Sequence, residues 1–315
     1  MRDVPCFIGL DVAKAQVDIA VRPSGERWAV PNDASGGMTL VDQVHALPPT
    51  LIVLEATGGL ERAVTSALAT AGLPVVVVNP RQVRDFARAT GQLAKTDALD
   101  ARALAHFADV IRPAPRPLPD AQTQELRALL GRRQQLIVMR TAAQNRRAGT
   151  SARLTKDIAA HIAWLNADIT TLDNDLETLL RASPVWREND DLVQSAKGIG
   201  PVSAHTFLLE LPEWGTRTRQ EMSALVGVAP LTCDSGTLRG KRTIWGGRAH
   251  VRTVLYMSTL VATRYNPQIK VFYERLLTAG KVKKVALTAC MRKFLTILNA
   301  LLKHRTPWQP QEVQS

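Results

Sequence analysis

Phe7-Ile8-Gly9-Leu10-Asp11 is the stretch that decides the fold. Four residues of strand length and apolar character end on a carboxylate. Val17–Val21 reads as a second strand, Pro23-Ser24-Gly25 as a turn and Arg27–Val30 as a third strand. Leu51–Leu54 and Val75–Val78 are continuous apolar runs, the kind buried on both faces of a sheet. Between them Leu60 to Ala71 is helical, closed by Gly72. Strands alternating with helices make this an α/β domain.

The acids fall at meaningful places in that domain. Asp11 and Glu55 each follow an apolar strand, at the carboxyl edge where open α/β sheets place their sites. Asp97 and Asp100, spaced i, i+3, open a helix expected from Thr96 through Ala101 to Val110, so both point to one side of it. Four converging carboxylates would hold hard divalent cations. Two such ions can activate an attacking oxygen and stabilise a leaving one in phosphoryl transfer. Spacing alone leaves plainer roles open, since first-turn acids suit a helix dipole and an aspartate suits a strand-end turn.

Arg112-Pro113-Ala114-Pro115-Arg116-Pro117-Leu118-Pro119 can neither continue a helix nor pair as a central strand, and it ends the domain. Two helical segments follow. The first, from about Gln122 to Arg153, has a basic face with Glu125 as its only acid. In the second, Ile158, Ile162, Leu165, Ile169, Leu172, Leu176 and Leu179 form an a/d heptad seam. The pair is expected to fold back as a hairpin or to associate between chains. From Leu192 the chain is helical again, broken at Lys197-Gly198-Ile199-Gly200-Pro201, with glycine-rich turns at Gly227, Gly236, Gly240 and Gly246-Gly247. Helices resume at about His250–Thr263 and Val282–Leu302. The expected organisation is 1–117 as the α/β domain, 118–184 as a coiled-coil segment, 185–306 as a mainly α domain, and 307–315 as a tail.

Charge is divided as unevenly as structure. The 315 residues carry 40 Lys plus Arg against 28 Asp plus Glu, a net of +12. Residues 1–116 hold 12 basic and 12 acidic side chains, whereas residues 186–315 hold 19 and 9, a net of +10. A neutral front and a basic back suggest catalysis in one place and polyanion binding in another. Cys6, Cys233 and Cys290 are odd in number and in no metal-ligand spacing, which fits a reduced cytosol. Asp11 and Lys14 interrupt the N-terminal apolar stretch, so no signal peptide is expected; nor is a membrane span. A cytoplasmic, nucleoid-associated protein is the expectation.

Ile8-Gly9-Leu10-Asp11-Val12-Ala13-Lys14, Glu55-Ala56-Thr57-Gly58 and Lys95-Thr96-Asp97-Ala98-Leu99-Asp100-Ala101 together resemble the motifs of one family. These are the DEDD transposases of bacterial insertion sequences, the IS one-hundred-and-ten family, also known as bridge-RNA-guided recombinases. The resemblance spans essentially the whole chain. It implies a RuvC-like, ribonuclease-H-type N-terminal domain in which Asp11, Glu55, Asp97 and Asp100 bind divalent metal, two Mg²⁺ or Mn²⁺ ions. Cys233-Asp234-Ser235-Gly236-Thr237-Leu238-Arg239-Gly240 resembles the Ser-Gly element of the family's C-terminal domain. By that likeness Ser235 is a nucleophile that becomes linked to a DNA strand, in a composite site assembled between subunits of a dimer or tetramer. Donor and target DNA and a structured guide RNA are the implied partners. From the residues themselves, Lys197, Gly198 and Gly200 suit a helix-hairpin-helix that binds phosphate. Arg239, Lys241, Arg242, Arg248 and Arg252 suit a phosphate-bracing surface or a merely solvated one. Two alternatives stand beside strand transfer: a hydrolytic RuvC-like nuclease in which water attacks, and a non-catalytic nucleic-acid-binding protein.

Overall fold

The computed structural model describes residues 4–92, 97–115, 119–147, 149–237 and 239–309. The side chains of residues 97–99 and the expected N-cap Thr96 lie outside that description. The chain divides into two compact units, Met1–Pro119 and Asp120–Ser315.

The first unit is built on a five-stranded sheet. Its strands are β1 (Phe7–Val12), β2 (Gln16–Arg22), β3 (Arg27–Pro31), β4 (Leu51–Glu55) and β5 (Val75–Val78). They lie in the order β3-β2-β1-β4-β5, with β2 antiparallel to both neighbours and β1, β4 and β5 parallel. That order and those directions are the ones a ribonuclease-H-type sheet has. The pleat divides β1 between two cores. Ile8, Leu10 and Val12 pack with Leu40 and Val44 of α1 (Ala34–His45) and with Val64 and Leu68 of α2 (Glu61–Thr70). Phe7 faces the other way, with Leu51, Val53, Val76 and Val78, against Val83 of α3 (Pro80–Ala89) and Leu104, Phe107 and Ala108 of α4 (Asp97–Ile111). Helices thus cover both faces, which is why the parallel strands read as unbroken apolar runs. Helices α1 and α3 were not expected from the sequence.

In the second unit α5 (Ala121–Arg147) and α6 (Ala152–Ala182) form a hairpin. Leu126 and Leu130 meet Leu176 and Leu180 at one end, and Leu136 meets Leu165 and Ile169 farther along, so the two helices run antiparallel. Arg133 pairs with Asp173 across them. Much of the heptad seam is therefore used inside the chain. Next come α7 (Pro184–Gln194), α8 (Pro201–Glu210), α9 (Arg219–Val226), α10 (Ala249–Tyr265), α11 (Pro267–Thr278) and α12 (Lys283–His304). A short antiparallel ribbon, β6 (Pro230–Leu231) with β7 (Thr243–Ile244), lies between α9 and α10.

By length and composition helix α12 is apolar enough to cross a membrane. It is instead the spine of this unit's core, with Cys290, Met291, Phe294, Leu295 and Leu298 packed against Phe207, Met222 and Leu255. Burial pushes the Cys290 thiol up to about 11, so it is an inert packing group. The expected tail is also anchored at its start: the Trp308 N–H donates to Ser195 Oγ at 2.8 Å and its ring packs on the same core. Asp190 and His205 are buried together, Oδ1 and Nε2 3.6 Å apart. Burial drives the carboxyl up and the imidazole down, each towards its neutral form.

Candidate active site and nucleic-acid surface

Leu10 of β1 pairs with Leu54 of β4, so Asp11 and Glu55 are the next residues on adjacent parallel strands. Neighbouring strands lie about 4.8 Å apart, and paired residues project to the same face. Because Leu10 and Leu54 point towards α1 and α2, alternation turns Asp11 and Glu55 to the face covered by α4. Asp11 is buried, and Glu55 ends its strand half-buried.

Helix α4 crosses that face unusually close to the backbone. A Cβ on Gly9 would lie 2.2 Å from the Ala101 carbonyl oxygen and 2.3 Å from the Ala105 nitrogen, so only glycine fits. Ala20, paired with Gly9 across the hairpin, packs on Ala101 and Ala105 as well. The helix runs antiparallel to β1. Its far end reaches Phe7, whose ring lies 5.2 Å from the Arg112 guanidinium, and Arg22 bonds Asp109 at 3.2 Å beside it. Its first turn, with Asp97 and Asp100, is therefore carried towards Asp11. Asp100 is half-buried; the Asp97 side chain lies outside the described residues.

Sequence reasoning missed one acid. Asp18 of β2 sits directly across from Asp11 in the antiparallel register, on the same face. Like charges so placed repel and need a compensating cation or hydrogen bonds; Asp18 Oδ2 accepts from Gln16 Nε2 at 2.9 Å. Strand alternation was visible in the sequence, but the register that aligns the two aspartates was not. Among the described residues no three His, Cys, Asp or Glu side chains stand as a ready ligand set. The donors do fit a hard cation, because Asp11, Glu55 and Asp100 offer carboxylate oxygens from three separate elements.

The loop after Glu55 is held by Glu61. One of its carboxylate oxygens accepts from the Thr57 N–H and hydroxyl, each at 3.0 Å, and from the Gly59 N–H at 2.8 Å. Partial burial pushes this carboxyl up, but its own N–H and those of Gly59 and Thr57 outweigh that and hold it below the ordinary glutamate value.

In the second unit Ser235 is exposed in the excursion between β6 and β7. Asp234 closes that excursion: its Oδ1 accepts from the Gly240 N–H at 3.1 Å and its Oδ2 from Arg239 at 3.4 Å. The nearest histidine in sequence, His250, is engaged by Glu210. The expected phosphate-bracing cations divide sharply. Arg248 makes two 2.6 Å bonds to Glu213, and Arg252 bonds the carbonyls of Gly246 and Val226 at 2.5 and 3.2 Å. The fold gives those two an internal task. Lys241 and Arg242 are exposed, with no ion pair among the described residues.

Lys197 to Gly200 joins α7 to α8. Gly198 has φ +111° and lies so close to α10 that a Cβ would be 2.8 Å from that of Ala262. Ile199 is buried, the Lys197 carbonyl accepts from Asn266 at 3.3 Å, and the Lys197 side chain and Gly200 face solvent. Gly200 caps α8 without a side-chain acceptor.

Known proteins resemble this chain in sequence. A DEDD transposase model of IS110 type matches residues 8–150, and a model described as transposase IS116/IS110/IS902 family matches residues 190–274. A pilin gene-inverting protein of Moraxella bovis is 27% identical over 318 residues, covering 96% of this chain and 97% of that protein; one from Moraxella lacunata matches to the same degree. An uncharacterized 43.6 kDa protein of insertion element IS110 from Streptomyces coelicolor is 24% identical over 161 residues, 50% of this chain and 38% of that protein. A structure of T. thermophilus RuvC with a Holliday junction substrate covers 36% of this chain and all of that one, at 15% identity. Its TM-score of 0.29 is too low to bear on the fold. Together the two family models define a transposase that acts on DNA. The chain belongs to the IS110 family of insertion-sequence transposases.

Proposed function

We propose that this transposase cuts and rejoins DNA through a seryl–DNA linkage formed at Ser235, with Asp11, Glu55, Asp97 and Asp100 as ligands of two Mg²⁺ or Mn²⁺ ions. The observation that carries the reading is the closure of α4 over Gly9, which delivers the acidic first turn of the helix to the strand edge bearing Asp11 and Glu55. Bound there, divalent ions supply charge neutralisation at a phosphodiester and activation of an oxygen nucleophile. Ser235 Oγ forms a bond to phosphorus as a bridging P–O bond of the strand breaks. The hydroxyl proton leaves Oγ, and the departing oxygen gains one. One phosphodiester replaces another, so the reverse attack by a strand hydroxyl rejoins DNA without ATP.

Lys197, Gly198 and Gly200, with the exposed Lys241 and Arg242, hold nucleic-acid backbone in this reading. Arg239 can join them by exchanging Asp234 for phosphate, whereas Arg248 and Arg252 support the loop from beneath. A structured guide RNA as the agent of target choice rests on the sequence resemblance, and the basic surface suits either nucleic acid. Assembly into a dimer or tetramer is supported by Val138, Met139, Leu154 and Trp164, which stay exposed on the α5–α6 hairpin. The cytoplasm, bound to the nucleoid, is where such an enzyme meets its DNA.

The test is metal dependence. Asp11→Asn, Glu55→Gln, Asp97→Asn and Asp100→Asn should each reduce strand exchange to background while melting temperature and DNA binding hold. EDTA should do the same to the wild type, and added Mg²⁺ or Mn²⁺ should restore it. Strand exchange that persists in EDTA contradicts the assignment.

A further inference from the structure

The neutral balance of the first unit hides a one-sided basic helix. In α3 the sequence Pro80-Arg81-Gln82-Val83-Arg84-Asp85-Phe86-Ala87-Arg88-Ala89 holds three arginines and one acid. Val83 is buried, and Phe86 and Ala87 pack on the same core, so that face is fixed inwards. Arg81, Arg84 and Arg88, at i, i+3 and i+7, line the opposite face and are exposed. Asp85 pairs with Arg81 at 3.7 Å. Neither Arg84 nor Arg88 has an ion pair among the described residues.

This charge works against the helix that bears it. Arg84 and Arg88, one turn apart, repel each other. The first turn has no acid, and Arg81 stands where the helix dipole favours an anion. The fold nonetheless holds α3 firmly. The Asn79 side chain caps it by accepting from the Arg81 N–H at 2.9 Å. The Phe86 ring meets His106 and Phe107 of α4 edge-on, with centroids 5.0 and 5.4 Å apart. A rigid row of cations that its own helix disfavours gains from an external polyanion.

Position selects that polyanion. Val78, the last residue of β5, pairs with Glu55 at the carboxyl end of β4, and its carbonyl accepts from the Ala56 N–H at 3.1 Å. Helix α3 therefore starts at the strand edge that carries Asp11 and Glu55. At a rise of about 1.5 Å per residue, Arg84 and Arg88 lie about 8 and 14 Å along its axis from Asn79. A DNA strand reaching those carboxylates has further phosphates within that span, because it carries one every ~3.4 Å of duplex axis. The planar fork of arginine fits a phosphate at each position.

We propose that Arg84 and Arg88 form a phosphate clamp on the DNA that lies at the carboxylate edge, so the first unit binds backbone in its own right. That the clamped strand is the one cut rests on the metal-site reading; the contact with DNA does not.

The test uses the full chain in EDTA, so that binding is read without metal, and a random-sequence DNA duplex as probe. Raising salt from about 50 to 200 mM should cost the Arg84→Gln, Arg88→Gln double variant about tenfold less affinity than the wild type loses. Arg84→Lys with Arg88→Lys keeps both charges and should keep the wild-type salt response. Arg27→Gln, on β3 at the opposite edge of the sheet, should also keep it. Melting temperatures should stay together, because all three arginines are exposed. A wild-type salt response in the double Gln variant overturns the proposal, as does an equal change in Arg27→Gln. A change seen with an RNA duplex but not with DNA overturns it too. Were Asp11→Asn to keep strand exchange while the double variant lost its salt response, the metal reading would fall and the clamp would stand.

Discussion

The carboxylates of the first unit and the arginines of the second meet opposite fates. Asp11, Glu55 and Asp100 come from three elements far apart in sequence, and the sheet and α4 gather them towards one edge. Arg248 and Arg252 sit in the most basic stretch of the chain, yet one neutralises Glu213 and the other braces two carbonyls. A neutral unit can thus gather acidic charge towards one edge while a basic unit spends much of its own on architecture. What each charge meets once the chain is folded decides its use, and the arithmetic of the sequence does not measure that.

Gly9→Ala strikes the first unit where it is least forgiving. The added Cβ would meet backbone atoms of Ala101 and Ala105 that cannot step aside singly, so α4 must lift from the sheet. A loss of about 3 kcal/mol or more is expected, seen as a lower melting temperature, and metal-dependent activity should fall with it. An alanine variant of wild-type stability would show that the acids are gathered in some other way.

Arg248 and Arg242 differ by six positions and should differ in kind. Arg248→Ala removes two charge-assisted bonds from the buried Glu213 carboxylate and should cost about 3 kcal/mol in denaturant unfolding. Arg242→Ala should leave stability unchanged and reduce the salt dependence of DNA binding by about one counterion. If both variants lost binding and kept stability, the division between internal and external arginines would collapse.

The smallest expected effect is a pH dependence carried by Glu61. Its carboxyl lies below the ordinary value of 4.5 in the folded chain. An acid with a lowered folded pKa adds stability above its unfolded pKa, and that contribution is lost as pH falls through the folded value. Amide protection factors in residues 56–61 should therefore fall below pH 4.5, and Glu61→Gln should flatten the response. Equal pH profiles for the two proteins would remove Glu61 from the loop's support.

Periodicity made much of the fold legible. The strands from Phe7 to Val78, helix α4 and the seam of α6 all follow from which residues are apolar and at what spacing. Helix α3 escaped because only Val83, Phe86 and Ala87 bind it to the core, while Arg81, Arg84 and Arg88 make the segment read as polar loop. Helix α1 escaped because Gly36-Gly37 breaks its pattern, and α11 because Asn266-Pro267 reads as a turn rather than a cap. At the sites the limit was register and tertiary partnership. Asp18 matters only once β1 and β2 are aligned. The internal use of Arg248 depends on Glu213, 35 residues away, which no local pattern announces.

In the seryl mechanism proposed for this transposase, the exposed loop of the basic unit, not water, supplies the attacking oxygen. Wild-type protein incubated with Mg²⁺, labelled donor DNA and nucleic acid from its own host should yield a protease-sensitive protein–DNA species on a denaturing gel. Ser235→Ala should lose that species and all strand exchange while binding DNA as before. Normal cleavage by Ser235→Ala, with no adduct from either protein, would rule out the seryl intermediate and make the enzyme a hydrolytic nuclease.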